Sequence, residues 1–110
     1  MLTHAYTNDI QRGGLGEIVR IEQIEIADHI LDKIEAKHGV QFHEVEEACL
    51  SHRPYVRRAR AGLIQVHART VGGRYLAVLL AWVSGSTWRV VSARDMNLQE
   101  RRAYARQAKK

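Results

Sequence analysis

The sequence contains little cysteine, little proline and few aromatic residues. Among its 110 residues there are one cysteine and one proline, and aromatic residues make up 6%. The single cysteine, Cys49, excludes an internal disulfide and a metal site built from several cysteines, and it fits a reducing compartment. The longest apolar run, Tyr75 to Val83, is too short to cross a bilayer, and no signal-peptide pattern is present. We therefore expect a soluble, cytoplasmic protein with no membrane partner.

The charge is unevenly distributed along the chain. Residues 1–51 carry four Lys/Arg and ten Asp/Glu, a net charge of −6, whereas residues 52–110 carry thirteen Lys/Arg and two Asp/Glu, a net charge of +11. Such a basic half favours an anionic partner, above all a nucleic acid. The alternative is that both faces are simply solvated and partly neutralise each other.

The first half of the chain predicts a leader, a strand and two helices. Residues 1–16 contain glycines but no periodicity, so we expect a flexible leader before a single domain that spans residues 17–108. Alternation from Ile18 to Ile26 predicts a strand, and apolar residues at helical spacing predict a helix that begins near Asp28 and stops at Gly39. A second short helix is predicted from about His43 to Ser51.

The second half predicts strands followed by one helix. Four strand candidates, separated by short glycine-containing turns, are residues 55–60, 63–71, 74–83 and 87–93. Asn97 and Glu100 have the spacing of a capping box, which predicts a last helix from about Leu98 to Gln107. We expect an α+β fold, with helices on one side of a small antiparallel sheet and the order β-α-α-β-β-β-α.

Hairpin register predicts a cationic face on this sheet. A two-residue loop at Gly72-Gly73 and a three-residue loop at 84–86 would bring several polar side chains to one face of three adjacent strands. Those side chains are Gln65, His67, Arg69, Arg74, Ser92 and Arg94. The same register puts Trp82 and Trp88 at the apolar end of that face, where they would either anchor a partner or pack against the first strand.

Two arginines beside a histidine suit phosphodiester chemistry. Guanidinium groups bind phosphate oxygens bidentately and stabilise added negative charge, and an imidazole can move a proton near neutral pH. The alternatives are that Arg69 is solvated and that His67 is a structural residue. The six histidines lack the paired spacing of metal ligands, so we expect no metal and no cofactor.

Three stretches resemble the BrnT family, ribonuclease toxins of type II toxin–antitoxin systems with a RelE-like fold. The first is Ile24-Glu25-Ile26 with the Lys37-His38-Gly39-Val40 turn and Phe42. The second is Arg69-Thr70 followed by Gly73-Arg74-Tyr75-Leu76. The third, which is the most specific, is RVVSAR at 89–94 followed by Glu100-Arg101-Arg102 and Tyr104. The chain departs from the family at Ala27, at Ala68 and in the RRARAG stretch at 57–62.

The resemblance implies an endoribonuclease that works without metal, in which the ribose 2′-hydroxyl attacks its own phosphate. Arg69 and Arg94 would stabilise the transition state, and the candidate proton carriers are His67, Lys37 and Glu100. RNA-binding candidates are Arg58, Arg74, Arg101, Arg102 and Tyr104; Tyr104 alternatively fills a gap against the sheet. The implied partner is a ribbon-helix-helix (BrnA-like) antitoxin, with which the chain would form a hetero-oligomer and through which alone it would meet DNA.

Two other functions remain open from the sequence. One is a RelE-like binding module that has lost catalysis and acts with its antitoxin in DNA-bound autorepression. The other is an unrelated RNA-binding accessory domain. A neighbouring gene for a small ribbon-helix-helix protein would favour the ribonuclease toxin or the RelE-like binding module over the unrelated RNA-binding domain.

Overall fold

The computed structural model of the chain describes residues 19–51 and 54–108. The predicted leader, residues 1–16, lies outside the described residues. The elements, in chain order, are β1 (Gln23–Glu25), α1 (Asp28–His38), α2 (Phe42–Cys49), β2 (Tyr55–Arg58), β3 (Ile64–Arg69), β4 (Tyr75–Ser84), β5 (Thr87–Asp95) and α3 (Leu98–Ala108), with a 3-10 turn at Arg60–Gly62.

These elements form an α+β fold with one mixed five-stranded sheet. The strand order is β1-β5-β4-β3-β2. Neighbours are antiparallel except β1 and β5, which run parallel. The expectation of a purely antiparallel sheet is therefore wrong, because the chain passes through two helices and the three strands β2, β3 and β4 before β5 returns beside β1 and parallel to it. All four strand candidates after Pro54 are strands, so the expected element order was also one strand short.

Local signals explain where the helices begin and end. α1 begins at Asp28, although the capping position belongs to Ala27, which makes no side-chain cap. It ends at Gly39, whose left-handed φ of 65° lets its N–H bond to Glu35 O. α2 begins at Phe42 with a capping box between Gln41 and Glu44.

The main core lies on one face of the sheet, which we call the core face. α1 and α2 cover it with Ile34, Val45 and Ala48, which pack in one cluster with Val66 and Val78. Side chains alternate along a strand, so the residues between these point to the opposite face. We call that opposite face, which carries His67, Ala77 and Arg94, the site face. α3 lies against the site face through Glu100, so the expectation that all helices share one side of the sheet is wrong.

The first hairpin register differs from the predicted one. In the second hairpin the turn has two residues, 85–86, and not the predicted three, but an irregularity at Val83 keeps Trp82 opposite Trp88 as predicted. This second register differs from the prediction only beyond Val90, and the two differences cancel at His67 and Arg94. The first loop has three residues, 71–73, closed by Thr70 N to Arg74 O at 2.8 Å, so His67 pairs with Ala77 and not with Val78. In β5 the ladder slips by one residue at Val91, so Arg94 also pairs with Ala77. His67 and Arg94 consequently flank the same residue of β4.

Candidate functional site

The centre of the site face is an ion pair between β5 and α3. Arg94 donates from Nη1 to Glu100 Oε1 at 2.7 Å and from Nη2 to Glu100 Oε2 at 2.9 Å. It also donates to the Asp95 carbonyl at 3.1 Å. The Arg94 side chain is 39% exposed and that of Glu100 is 16% exposed. The pair is thus held in a fixed bidentate geometry with one side of the guanidinium open to solvent.

The predicted capping box at the start of α3 also holds the Glu100 carboxylate in place. Asn97 N donates to Glu100 Oε1 at 2.9 Å, and Glu100 N donates to Asn97 Oδ1 at 2.8 Å. Hydrogen bonds from Arg94, helped by the Asn97 amide, lower the pKa of Glu100 to about 2. The carboxylate is therefore fully ionised at neutral pH. The same motif that starts α3 also aims this carboxylate at Arg94.

His67 lies beneath this pair and is completely buried. Its Nε2 is 3.0 Å from Gln65 Oε1 and 4.0 Å from Glu100 Oε2, and its ring meets the edge of the Tyr55 ring at 6.0 Å. Nδ1 has no hydrogen-bond partner. Burial lowers the pKa of His67 against the opposing effect of Glu100, so the imidazole is neutral at pH 7. With Gln65 accepting from Nε2, the neutral tautomer leaves Nδ1 as the unpaired acceptor.

The buried histidine predicts a pH-dependent stability. The folded-state pKa of His67 is below its ordinary 6.5, so the unfolded chain binds more protons in the window between the two values. Stability therefore falls as pH drops below about 6.5. Urea unfolding of His67→Asn between pH 7 and pH 5 should show a shallower pH slope than the original chain. Equal slopes would contradict a neutral buried imidazole. His43→Asn, on the exposed start of α2, is the control.

Beside the ion pair lies a cluster of arginine and tyrosine side chains, which we call the Arg–Tyr cluster. Arg101 Cζ lies 4.3 Å from the Tyr75 ring centroid and Arg69 Cζ lies 5.2 Å from it. Tyr104 meets the Tyr75 ring edge-on at 6.0 Å. The sequence prediction did not include Tyr75 among the site residues, although its place directly after Arg74 in the Gly73–Leu76 motif was an available signal. The cluster presents exposed cations on an aromatic base beside Arg94.

Tyr104 belongs to the packed side of α3. Its hydroxyl accepts a hydrogen bond from the backbone of Arg69, and burial raises its pKa. The packed stripe contains Glu100, Ala103 and Tyr104. Helical spacing in the sequence predicts a different packed stripe, formed by Leu98, Arg101, Ala105 and Ala108. That prediction is wrong, because Leu98 is 62% exposed and Arg101 and Ala105 are also exposed. This favours a packing role for Tyr104.

The position of Tyr104 leads to a prediction about its two parts. Tyr104→Phe removes only the hydroxyl and its hydrogen bond to Arg69, so we expect a loss of about 1 kcal/mol in the free energy of unfolding. Tyr104→Ala also removes the ring contact with Tyr75 and should cost clearly more. Urea unfolding of both variants checks this. If Tyr104→Phe were as destabilised as Tyr104→Ala, the ring contact would be irrelevant.

Arg74 is not on the site face with the other arginines, which corrects the prediction that grouped them. It points to the core-face side, where it donates to Gly39 O at 2.9 Å and His38 O at 2.7 Å. It also pairs with Asp95 at 2.7 Å and Glu44 at 3.1 Å. These contacts raise the pKa of Arg74, mainly through the bond to Asp95. Arg74 therefore joins the end of α1 to the sheet, with its donors engaged within the fold.

The two tryptophans also lie on the core-face side. Trp82 pairs with Trp88 two residues along each strand from the pair of Leu80 and Val90, whose side chains belong to the core face. Trp88 is buried and its Nε1 donates to Arg20 O at 2.8 Å, so it packs against the segment before β1. Trp82 is 61% exposed, and its Nε1 donates to Gly85 O. The predicted aromatic patch beside the cationic cluster is thus not formed.

The remaining candidates lie apart from the Arg94–Glu100 pair. Lys37 is exposed on α1, in a groove that it shares with Ser92. Arg58 is exposed on β2 and pairs with Ile64, which puts it on the core-face side. Arg102 is exposed on α3. The structure therefore brings Gln65, His67, Arg69, Ser92, Arg94, Glu100, Arg101 and Tyr104 to the site face and separates Arg58, Arg74, Trp82 and Trp88 from it.

Comparison with protein-family models and with curated proteins finds no match for this chain. In the part of the chain that the structure describes, no three His, Cys, Asp or Glu side chains are grouped to hold a metal ion. None of the described helices is long and apolar enough to span a membrane.

Proposed function

We propose that this chain has a RelE-like fold and is the BrnT-type toxin of a type II toxin–antitoxin system, an endoribonuclease that cleaves RNA and thereby inhibits translation. The observation that carries the proposal is the oriented Arg94–Glu100 pair on a sheet face, with the exposed cations of the Arg–Tyr cluster beside it. The basic charge of residues 52–110 and the resemblance of their motifs to that family support the same function.

The reaction involves the RNA, the side chains of this site and solvent water. The ribose 2′-oxygen forms a bond to the adjacent phosphorus as it loses its proton to Glu100, and the bond from phosphorus to the 5′-oxygen breaks as that oxygen takes a proton from water. The products are a 2′,3′-cyclic phosphate and a 5′-hydroxyl end. Negative charge builds on the non-bridging phosphate oxygens, and the open side of the Arg94 guanidinium suits their stabilisation.

Glu100 is the proton acceptor in this proposal. A pKa of about 2 makes the free carboxylate a weak base. A bound phosphate competes for the Arg94 donors and adds negative charge nearby, and both effects raise the carboxylate pKa when substrate is present. His67 is a positioning residue: it is buried 4.0 Å from Glu100 and supports the carboxylate from below without reaching the RNA.

The Arg–Tyr cluster is the proposed RNA-binding surface. Arg69, Arg101 and Arg102 are exposed cations on or beside it, and each phosphate that they contact contributes a salt-dependent share of affinity. Binding should weaken as salt rises, with a smaller slope for Arg101→Ala. Arg58 and Arg74 do not belong to this surface. Arg58 lies on the core-face side of the sheet, and the donors of Arg74 are engaged within the fold.

Growth of cells that produce the chain tests the proposed function. Induction of this chain alone should arrest growth, and co-production of an adjacent ribbon-helix-helix gene product should restore it. Unimpaired growth at a verified level of folded protein would contradict the toxin proposal.

One observation favours the second candidate, a RelE-like binding module that acts with its antitoxin in autorepression. Arg94 and Glu100 already neutralise each other, and His67 is inaccessible. An intact repressor complex together with no RNA cleavage by the folded chain would decide for that module.

A further inference from the structure

The outer edge of β5 is only partly covered. β1 pairs with Thr87 to Arg89 and then leaves the sheet. Within residues 19–51 and 54–108, no strand pairs with the outer edge of β5 from Val91 to Arg94. This stretch is about 13 Å of strand at the usual rise per residue. An uncovered edge presents backbone donors and acceptors that can pair with another chain.

A groove runs along this edge between β5 and α1. Its volume is about 160 Å³, and its lining combines the apolar residues Ile30, Ile34 and Val91 with the cationic Lys33 and Lys37, together with His38 and Ser92. The apolar part suits an aliphatic side chain, and the lysines lie where they can meet a carboxylate.

The two lysines of this groove have no anionic partner within the described chain. Lys33 and Lys37 are four residues apart on α1, so they lie on one stripe and repel each other. Neither forms an ion pair with another residue of the described chain. Two like charges kept at an open strand edge are stabilised when an anionic group binds between them.

We infer that the β5 edge from Val91 to Arg94 binds an extended, acidic segment of a partner protein, which adds a sixth strand to the sheet. Its backbone pairs with β5, one apolar side chain enters the groove beside Ile30 and Val91, and a carboxylate meets Lys33 and Lys37. A single-stranded RNA fits less well, because it offers no ladder of alternating backbone amides and carbonyls and no aliphatic side chain for the apolar part.

The added strand would lie directly beside the proposed active site. Ser92 and Arg94 point to the site face from the paired stretch of β5, so alternate side chains of the bound segment stand next to Arg94. An acidic side chain there competes with phosphate for the guanidinium. Under the proposed function this partner is the antitoxin and its binding blocks cleavage. Only that consequence rests on the proposed function.

Nuclear magnetic resonance of the full ¹⁵N-labelled chain tests the binding directly. The probe is an acetylated and amidated eight-residue peptide of alternating valine and glutamate. We expect it to shift the amide signals of Val91–Arg94 and of Lys33 and Lys37. The same peptide N-methylated at alternate residues should bind at least tenfold more weakly, because it cannot complete the ladder. A valine–lysine peptide should not bind.

Charge reversal supplies the matched control. Lys33→Glu/Lys37→Glu should weaken the peptide at least tenfold, whereas Arg102→Glu/Arg106→Glu, with the same spacing and charge change on α3, should leave peptide affinity unchanged. Unaltered β3 and β4 signals establish that each variant is folded. The inference is overturned by equal binding of the N-methylated peptide, by an absence of shifts at Val91–Arg94, or by octauridylate shifting these amides when the peptide does not. RNA cleavage is not measured, so failure here leaves the proposed function standing.

Discussion

Replacement of Arg94 by alanine is expected to lower RNA cleavage by about 10²–10³ while the protein remains folded, because a charge-assisted contact to the transition state is worth about 2.7–4 kcal/mol. Arg94 reaches Glu100 from the end of β5 and is 39% exposed, so its removal leaves the core face untouched. Arg94→Lys keeps the charge but loses the bidentate geometry, and we expect it to restore only a small part of the activity.

Arg89 offers a matched control for this experiment. It lies on the same strand and the same face, and it pairs with Glu25 at 2.7 Å as Arg94 pairs with Glu100. Arg89→Ala therefore removes the same charge and one ion pair at a distance from His67. We expect it to retain most of the activity, since exposed ion pairs contribute little to stability. Equal losses in Arg89→Ala and Arg94→Ala would show that only the general basic charge matters.

Replacement of Arg74 by alanine should produce the largest loss of stability, about 2–3 kcal/mol in the free energy of unfolding. The side chain connects the carbonyls that end α1 with Glu44 at the start of α2 and Asp95 at the end of β5. Its loss leaves two carboxylates facing each other and two carbonyls without their donor. Urea unfolding followed by circular dichroism measures the change.

The control for Arg74 is Arg101→Ala, which removes a nearby exposed arginine whose guanidinium lies over the Tyr75 ring. We expect a change in stability below about 1 kcal/mol there. Arg74→Lys should recover part of the loss, since one ammonium group cannot reach all four acceptors. If Arg74→Ala proved as stable as Arg101→Ala, the contacts of Arg74 between α1 and the sheet would contribute nothing to the free energy of unfolding.

The sequence was sufficient for features that depend on local chemistry. Gly39 ends α1 because it adopts a left-handed conformation, and Asn97 with Glu100 starts α3 through a capping box, as predicted. The four strands after Pro54 follow from their apolar runs and glycine turns. These signals act within a few residues, so they can be seen without the fold.

The strand register was harder to predict from the sequence, because an error of one residue moves every side chain of a strand to the opposite face. A loop of three residues at 71–73 shifted β4 by one position, and the bulge at Val91 shifted β5 back. The predicted meeting of His67 and Arg94 therefore holds through two compensating irregularities. Arg74 belongs only to the first hairpin, so nothing reverses the one-residue shift there, and its side chain lies on the core-face side of the sheet.

Burial and partners were not predictable from residue types alone. Nothing in the sequence distinguishes the buried His67 from an accessible catalytic histidine, because its burial results from contacts with β2 and α3. Likewise, Arg69 and Arg94 look equivalent in the sequence, yet one rests on Tyr75 and the other is held by Glu100. Long-range packing decides these differences.

The chemistry of new RNA ends tests the central claim most directly. Total RNA from cells a few minutes after induction of the chain is analysed for 5′-hydroxyl and 2′,3′-cyclic phosphate ends, with Arg94→Ala and Arg89→Ala induced in parallel. The proposed mechanism predicts new ends of both kinds with the original chain and Arg89→Ala, and few with Arg94→Ala. New ends bearing 5′-phosphates, or the same 5′-hydroxyl ends at equal levels with Arg94→Ala, would contradict it.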